Sequence, residues 1–200
     1  MTKTVEFIFD FSAPNGYLAW YPLKNIAART GADIAITPVY LGGMHKLTGN
    51  SPPMMRDAGV KGKVEYAALE FQRFLTKHGM SKFRMHPDLP FNSILVQRAL
   101  VACPADKRGA MLDCLLPAIW EENIAVGDPA VVGAKLAEAG LDAQSLLEAT
   151  QQAEVKQQLI DNTSDAVERG AFGIPTFFVG KEMFFGKERL GQIEEMLAEA

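Results

Sequence analysis

Ala171-Phe172-Gly173-Ile174-Pro175-Thr176-Phe177-Phe178-Val179-Gly180 is the stretch on which the fold depends. A helical pattern stops at Gly170, a tight turn follows, and Thr, Phe and Val then read as a short buried strand. Pro175 stands where that strand begins. It lacks an N–H and cannot pair normally in a central strand. One reading is a trans proline that merely opens an edge strand. The other is a cis Ile174–Pro175 bond in a tight turn, which leaves the backbone of Ile174 open to an extended ligand. Phe184-Phe185-Gly186-Lys187-Glu188-Arg189-Leu190 follows as a second strand running into a terminal helix.

The other end of the chain supplies the partner. Val5 to Phe11 alternates in the strand manner, and Ser12-Ala13-Pro14-Asn15-Gly16 leads into a helix over Tyr17 to Arg29 that stops near Gly31. A proline is tolerated in a first helical turn because its missing N–H had no partner there. Ile34 to Leu41 reads as a second strand, and a β-α-β unit of this kind requires a parallel pair. Gly42 to Gly62 reads as a long loop rich in Gly, Pro and Met, and long loops in compact domains are more often functional than accidental.

From Lys63 the period is helical. Val64, Ala67, Ala68, Phe71, Phe74 and Leu75 form one apolar stripe, ending at Gly79. Met80 to Pro90 is irregular. Further helices are expected over Ser93–Cys103 and Asp106–Asn123, from Asp128-Pro129 to Gly140, briefly after Asp142, and over Gln151–Gly170. The order is therefore β-α-β, five or six helices, then β-β-α. The two ends make one sheet and the middle carries no strand. This predicts an α/β chain with one unit formed by residues 1–45 and 165–200 and a helical insertion over 46–164.

Composition narrows the function. The formal net charge is −4 and no basic block occurs, which argues against a nucleic-acid partner. No apolar run approaches the roughly 18 residues that span a bilayer, so no membrane association is expected. The first ten residues enter strand sequence directly, without an apolar leader, so a cytoplasmic protein is expected. The two cysteines, Cys103 and Cys114, lie in apolar helical surroundings with no C-x-x-C and no metal-type spacing. They read as buried, inert thiols. His45, His78 and His86 are scattered near Gly or Pro and read as surface or loop histidines, so no metal site is expected.

Five motifs in order carry a resemblance. They are Phe9-Asp10-Phe11-Ser12-Ala13-Pro14, Gly49-Asn50-Ser51-Pro52-Pro53, Lys63-Val64-Glu65-Tyr66, Phe172-Gly173-Ile174-Pro175-Thr176 and Phe185-Gly186-Lys187-Glu188-Arg189. Over essentially its whole length the chain resembles the 2-hydroxychromene-2-carboxylate isomerases and their relatives, the kappa-class glutathione transferases. Both belong to a wider group of disulfide oxidases with a thioredoxin-like fold interrupted by inserted helices. The resemblance implies glutathione as cofactor. By position, Asn50 and Lys63 would hold its glycine end or carboxylates, Ile174 beside Pro175 would pair with its cysteinyl backbone, and Lys187 and Glu188 would lie near its γ-glutamyl end. Plainer readings stand beside these. Lys63 is also an ordinary surface cation, and Glu188 suits any first helical turn through the helix dipole. Family members often carry Asn or Ser followed by Asp at 187 and 188; Glu188 keeps the charge at longer reach.

One departure matters more. The family places Ser directly before the proline, and this chain has Ala13 there, with Ser12 one residue earlier. A shift of one residue in an extended segment turns the side chain to the other face. Ser12 and Asn15 are the candidates to assist a thiolate, together with the N–H groups behind Pro14. Ser12 also reads as a hydroxyl that satisfies local backbone.

The resemblance implies a glutathione-dependent isomerase. It would interconvert a cyclic hemiketal carboxylate with an open-chain unsaturated 2-oxo acid, as in aromatic degradation. Thiolate addition to a conjugated carbon, rotation and thiolate loss would accomplish this. The partner would be a small aromatic carboxylic acid near Asn92, a residue that also reads as a helix N-cap. Tyr40, Phe177, Phe184 and Phe185 are candidate walls, though aromatics at such strand positions are core by default. A kappa-like transferase and a non-catalytic glutathione-binding relative are the alternatives, and a homodimer is compatible with the family.

Overall fold

A computed structural model describes residues 3–199. The elements run β1 (Thr4–Phe9), α1 (Pro14–Thr30), β2 (Asp33–Pro38), α2 (Leu41–Thr48), α3 (Pro53–Arg56), α4 (Lys63–Lys77), α5 (Ile94–Ala102), α6 (Arg108–Trp120), α7 (Pro129–Glu138), α8 (Ala143–Ala149), α9 (Ala153–Glu168), β3 (Thr176–Val179), β4 (Glu182–Phe185) and α10 (Leu190–Glu199). The strands form one sheet in the order β2-β1-β3-β4. β1 pairs parallel with β2, Val5 opposite Ile34, and antiparallel with β3, Ile8 opposite Thr176. β4 closes the sheet as a hairpin on β3. This is the thioredoxin-like α/β arrangement expected from the two ends of the chain.

Alternation along β1 divides the apolar residues between two faces. Phe7 and Phe9 enter the main core, whereas Ile8 enters a smaller cluster on the other face. Phe7 is stacked on Trp20 of α1 at 6.1 Å and on Phe177 of β3 at 5.2 Å. Offset stacking of this kind adds roughly 0.5–1.5 kcal/mol per pair beyond burial. From these rings the main core continues through Leu18 and Leu23 to Leu100, Leu112, Leu116 and Trp120 without interruption. On the opposite face α9 lies against α2, α5 and β2. Its end is pinned by Arg169, which pairs with Glu6 at 2.6 Å and lies 3.9 Å from the Phe178 ring centre. Burial pushes the Glu6 carboxyl up, but hydrogen bonds from Arg169 and Thr37 outweigh it and hold the group below its ordinary value.

Three expectations are corrected. The stretch 42–62 is not one loop, because it contains α2 and α3. Gly42 and Gly43 belong to a helix packed on the Tyr40 ring: a Cβ at Gly42 would lie 2.8 Å from Tyr40 Cζ. The α4 stripe buries only its C-terminal end. Leu75 is buried and Phe71 and Phe74 are half-buried, but Ala67 and Ala68 are exposed. His86 is buried rather than superficial. Its Nδ1 accepts the Asp88 N–H at 3.2 Å, so its Nε2–H donates to the Ile124 carbonyl at 3.0 Å. Among the described residues no helix is long and apolar enough to cross a membrane.

Candidate functional site

α1 begins at Pro14 with no side-chain cap, and its first turn holds no acidic residue. The Ala13 N–H donates to the Asp10 carbonyl at 3.2 Å and the Gly16 N–H to the Ala13 carbonyl at 2.8 Å. Pro14 has no N–H, and the N–H of Asn15 sits in the first turn, where helix geometry offers no acceptor. The positive end of a 17-residue helix is thus left for a ligand to complement. Asn15 adds a carboxamide whose Oδ1 is buried and without a partner among the described residues. An orphan of this type costs roughly 1–3 kcal/mol unless something satisfies it.

Ser12 is occupied differently. Its N–H and its Oγ–H both donate to Asp10 Oδ1, at 2.8 and 2.9 Å. The hydroxyl proton is therefore committed inward, and Ser12 can only accept a hydrogen bond from a ligand. Asp10 is fully buried, and its Oδ2 accepts the Leu41 N–H at 2.7 Å. Burial pushes its carboxyl up, against the hydrogen bonds from Leu41 and Ser12 that pull it down.

The turn at 172–175 comes to the same place. Ala13 and Ile174, the residues before the two prolines, share one small apolar cluster with Met44 and Phe178. The Ile174–Pro175 peptide is cis, and a second cis bond, Leu89–Pro90, carried no sequence signal that singled it out. Pro175 gives its carbonyl to the Gly186 N–H at 2.9 Å, while the N–H and C=O of Ile174 take no backbone partner among the described residues. Asn50 is brought to this turn: its Nδ2 donates to the Phe172 carbonyl at 2.7 Å and its Oδ1 accepts from Ser51 N–H. Phe172 and Phe185 sit beside it, ring centres 4.4 Å apart, both exposed by more than a third.

The other candidates sit as follows. Lys63 opens α4 and pairs with Asp57 at 2.9 Å, a carboxylate that Arg56 also grips at 2.9 Å. Hydrogen bonds from these two cations hold Asp57 well below the usual carboxylate range. Lys187 is buried, paired with Glu188, and its Nζ lies 5.2 Å from the Phe74 ring. Glu188 is more than half exposed and folds back over Gly186, where φ is 96° and a Cβ would meet its Oε2. Asn92 uses Oδ1 to accept the Ile94 N–H at 2.9 Å from the position before Ser93, which is the N-cap of α5, so Asn92 braces the turn into the helix and is not itself its cap. Phe177 is wholly buried in the main core and walls no site, whereas Phe185 is partly exposed at the turn. Cys103 is buried and Cys114 half-buried, and burial pushes both thiols up.

Sequence reasoning gave no role to two residues that build this corner. Asp10 is one; its signal was a lone carboxylate between two phenylalanines at a strand end. Gln97, fully buried, is the other. Its Nε2 donates to the carbonyls of Phe9 and Val39 at 2.9 and 2.6 Å, and its Oε1 accepts the Phe11 N–H at 3.3 Å.

Comparison with known proteins agrees with this fold. The family model of the DSBA-like thioredoxin domain matches residues 4–198. A 2-hydroxychromene-2-carboxylate isomerase of Sphingobium xenophagum is 30% identical over 98% of this chain and 99% of its own. Glutathione S-transferase kappa 2 of Caenorhabditis elegans is 27% identical over 98% of this chain and 92% of its own. The solved structure of a 2-hydroxychromene-2-carboxylate isomerase superposes with a TM-score of 0.82 at 27% identity, covering 98% of this chain and 95% of that one. The chain belongs to the family of DSBA-like thioredoxin domains, and within it is similar over nearly its whole length to 2-hydroxychromene-2-carboxylate isomerases and kappa-class glutathione transferases.

Proposed function

We infer that the protein is a glutathione-dependent isomerase of 2-hydroxychromene-2-carboxylate type. The observation that carries this reading is the uncapped N-terminus of α1 close to the free main-chain edge at Ile174. A peptide thiol whose cysteinyl backbone pairs with Ile174 would place its sulfur at that helix end, where oriented N–H groups favour a thiolate. Asn50 orders the turn, and Lys63, Lys187 and Glu188 supply charges for the peptide's termini. Lys63 would have to exchange its Asp57 contact for a ligand carboxylate. Asn15 satisfies its orphan Oδ1 on the bound peptide. The thiolate adds to a conjugated carbon of the aromatic acid, the former double bond rotates, and the thiolate leaves, so glutathione is regenerated.

The test is product analysis. Purified protein, saturated with glutathione, is incubated with 2-hydroxychromene-2-carboxylate, and the open-chain unsaturated 2-oxo acid is followed by absorbance and chromatography. Glutathione-dependent interconversion is expected. Its absence in folded, glutathione-bound protein would sink the reading. Ala13 and the committed Ser12 hydroxyl favour a second one, a glutathione-binding relative without isomerase chemistry. Glutathione binding without turnover of this acid or of an electrophilic aryl halide would establish it, whereas conjugation of the halide would mark a kappa-like transferase.

A further inference from the structure

Gln97 and Arg98 are neighbours on α5, and consecutive helical residues point about 100° apart. Gln97 faces the sheet and the Phe11–Pro14 segment. Arg98 is turned away from that corner, into a cleft of about 240 Å³ that it lines with Asn92, Ile94, Leu95, Thr150 and Gln151. Among the described residues no carboxylate lines this cleft. The Nε–H of Arg98 is buried and has no acceptor among the described residues. The Thr150 hydroxyl donates to the Leu147 carbonyl at 2.6 Å, and Gln151 Nε2 donates to Thr150 Oγ1 at 3.2 Å, which leaves Gln151 Oε1 as an acceptor. Asn92 spends its Oδ1 on α5 and keeps Nδ2 as a donor. The side-chain groups left over are thus the Arg98 guanidinium and Asn92 Nδ2 as donors and Gln151 Oε1 as an acceptor, so the only charge the cleft presents is positive, and Ile94 and Leu95 form the apolar wall beside them.

A half-buried arginine without an acceptor is costly, because its desolvation goes uncompensated. An anion that accepts from its planar fork removes that cost, and a carboxylate matches the fork in bidentate fashion. The apolar wall favours an anion with a hydrocarbon body over a small hydrated one. At roughly 30 Å³ per water the cleft has room for about eight waters, the size of a carboxylic acid with a single ring. We propose that the cleft between α5 and the end of α8 is a second ligand site, which binds a small apolar monocarboxylate through Arg98 and is separate from the thiol site at α1.

Sodium benzoate is the probe. Calorimetric titration should show benzoate binding to the wild-type protein, weakened at least tenfold in Arg98→Gln, with glutathione affinity equal in the two proteins. Methyl benzoate should not bind. In wild-type protein, benzoate should move the methyl NMR signals of Ile94 and Leu95 and leave that of Ile174 in place; this arm needs no variant to fold. Equal competition by inorganic phosphate would overturn the assignment to an apolar carboxylate. Benzoate binding that survives Arg98→Gln, methyl shifts at Ile174 instead of α5, or no binding at all would overturn the site.

Discussion

Asp10 accepts three hydrogen bonds, from Ser12 N–H, Ser12 Oγ–H and Leu41 N–H, and no cation faces it among them. Its carboxyl is raised by burial, so the native state keeps its proton to a higher pH than the unfolded chain does. Unfolding in that window releases a proton, and stability falls as pH rises through it. Asp10→Asn keeps the shape but turns an NH2 group toward the Leu41 N–H, which orphans a buried donor at a cost of about 1–3 kcal/mol. The variant also loses the titration. The expected result is a variant less stable than wild type at acid pH, with the gap narrowing as pH rises above the ordinary aspartate range. Urea unfolding at several pH values measures it, and a gap that stays flat or widens would refute the argument. At this scale the sequence was half legible. The quoted motif contains Asp10, yet nothing local says that its oxygens bind Ser12 and the start of α2. That depends on β2 delivering Leu41 from 31 residues away.

At the scale of elements, α5 is the piece that ties the helical segment to the site. Its apolar residues were readable as a helix, but the purpose of a glutamine among them was not. Gln97 satisfies two strand-end carbonyls and the N–H of Phe11, all at the corner that precedes Pro14. Gln97→Leu keeps the volume and orphans two backbone groups, the Val39 carbonyl and the Phe11 N–H, because the Phe9 carbonyl still accepts the Val39 N–H at 3.0 Å. At the low end of 1–3 kcal/mol for each, a loss of about 2 kcal/mol is expected in urea unfolding. Glutathione affinity should fall with it, because Phe11 leads into Ser12 and Pro14. A loss under about 0.5 kcal/mol, the ordinary range of a surface change, would show that the strand ends find other partners. The helix α2 was missed for a related reason. Paired glycines ordinarily argue for a loop, but Gly42 and Gly43 make room for the adjacent Tyr40 ring, and the tertiary partner is Thr163 of α9, which lies against Gly43 and accepts the Tyr40 N–H.

For the molecule as a whole, the order of elements was legible because strand and helix periods alternate cleanly at both ends. The pairing of β1 with β3 across more than 160 residues followed once both ends were read as halves of one sheet. At this scale the proposed thiol belongs to the ligand and not to the protein. Two protein thiols exist, and neither occupies the helix end that could ionise it. Cys103 follows α5 in an extended conformation, buried in the main core. Cys114 lies within α6, where its Sγ–H donates to the Lys135 carbonyl at 2.9 Å. Burial pushes both thiols up, so each carries little thiolate at neutral pH. A double variant, Cys103→Ala with Cys114→Ala, should therefore lose stability on the order of 1–2 kcal/mol from two small cavities. It should keep wild-type glutathione affinity and any glutathione-dependent turnover, and mass spectrometry of the wild-type protein held with oxidised glutathione should find no mixed disulfide. Activity lost in a variant whose folding is intact by circular dichroism would place a protein thiol in the reaction and move the chemistry away from the N-terminus of α1.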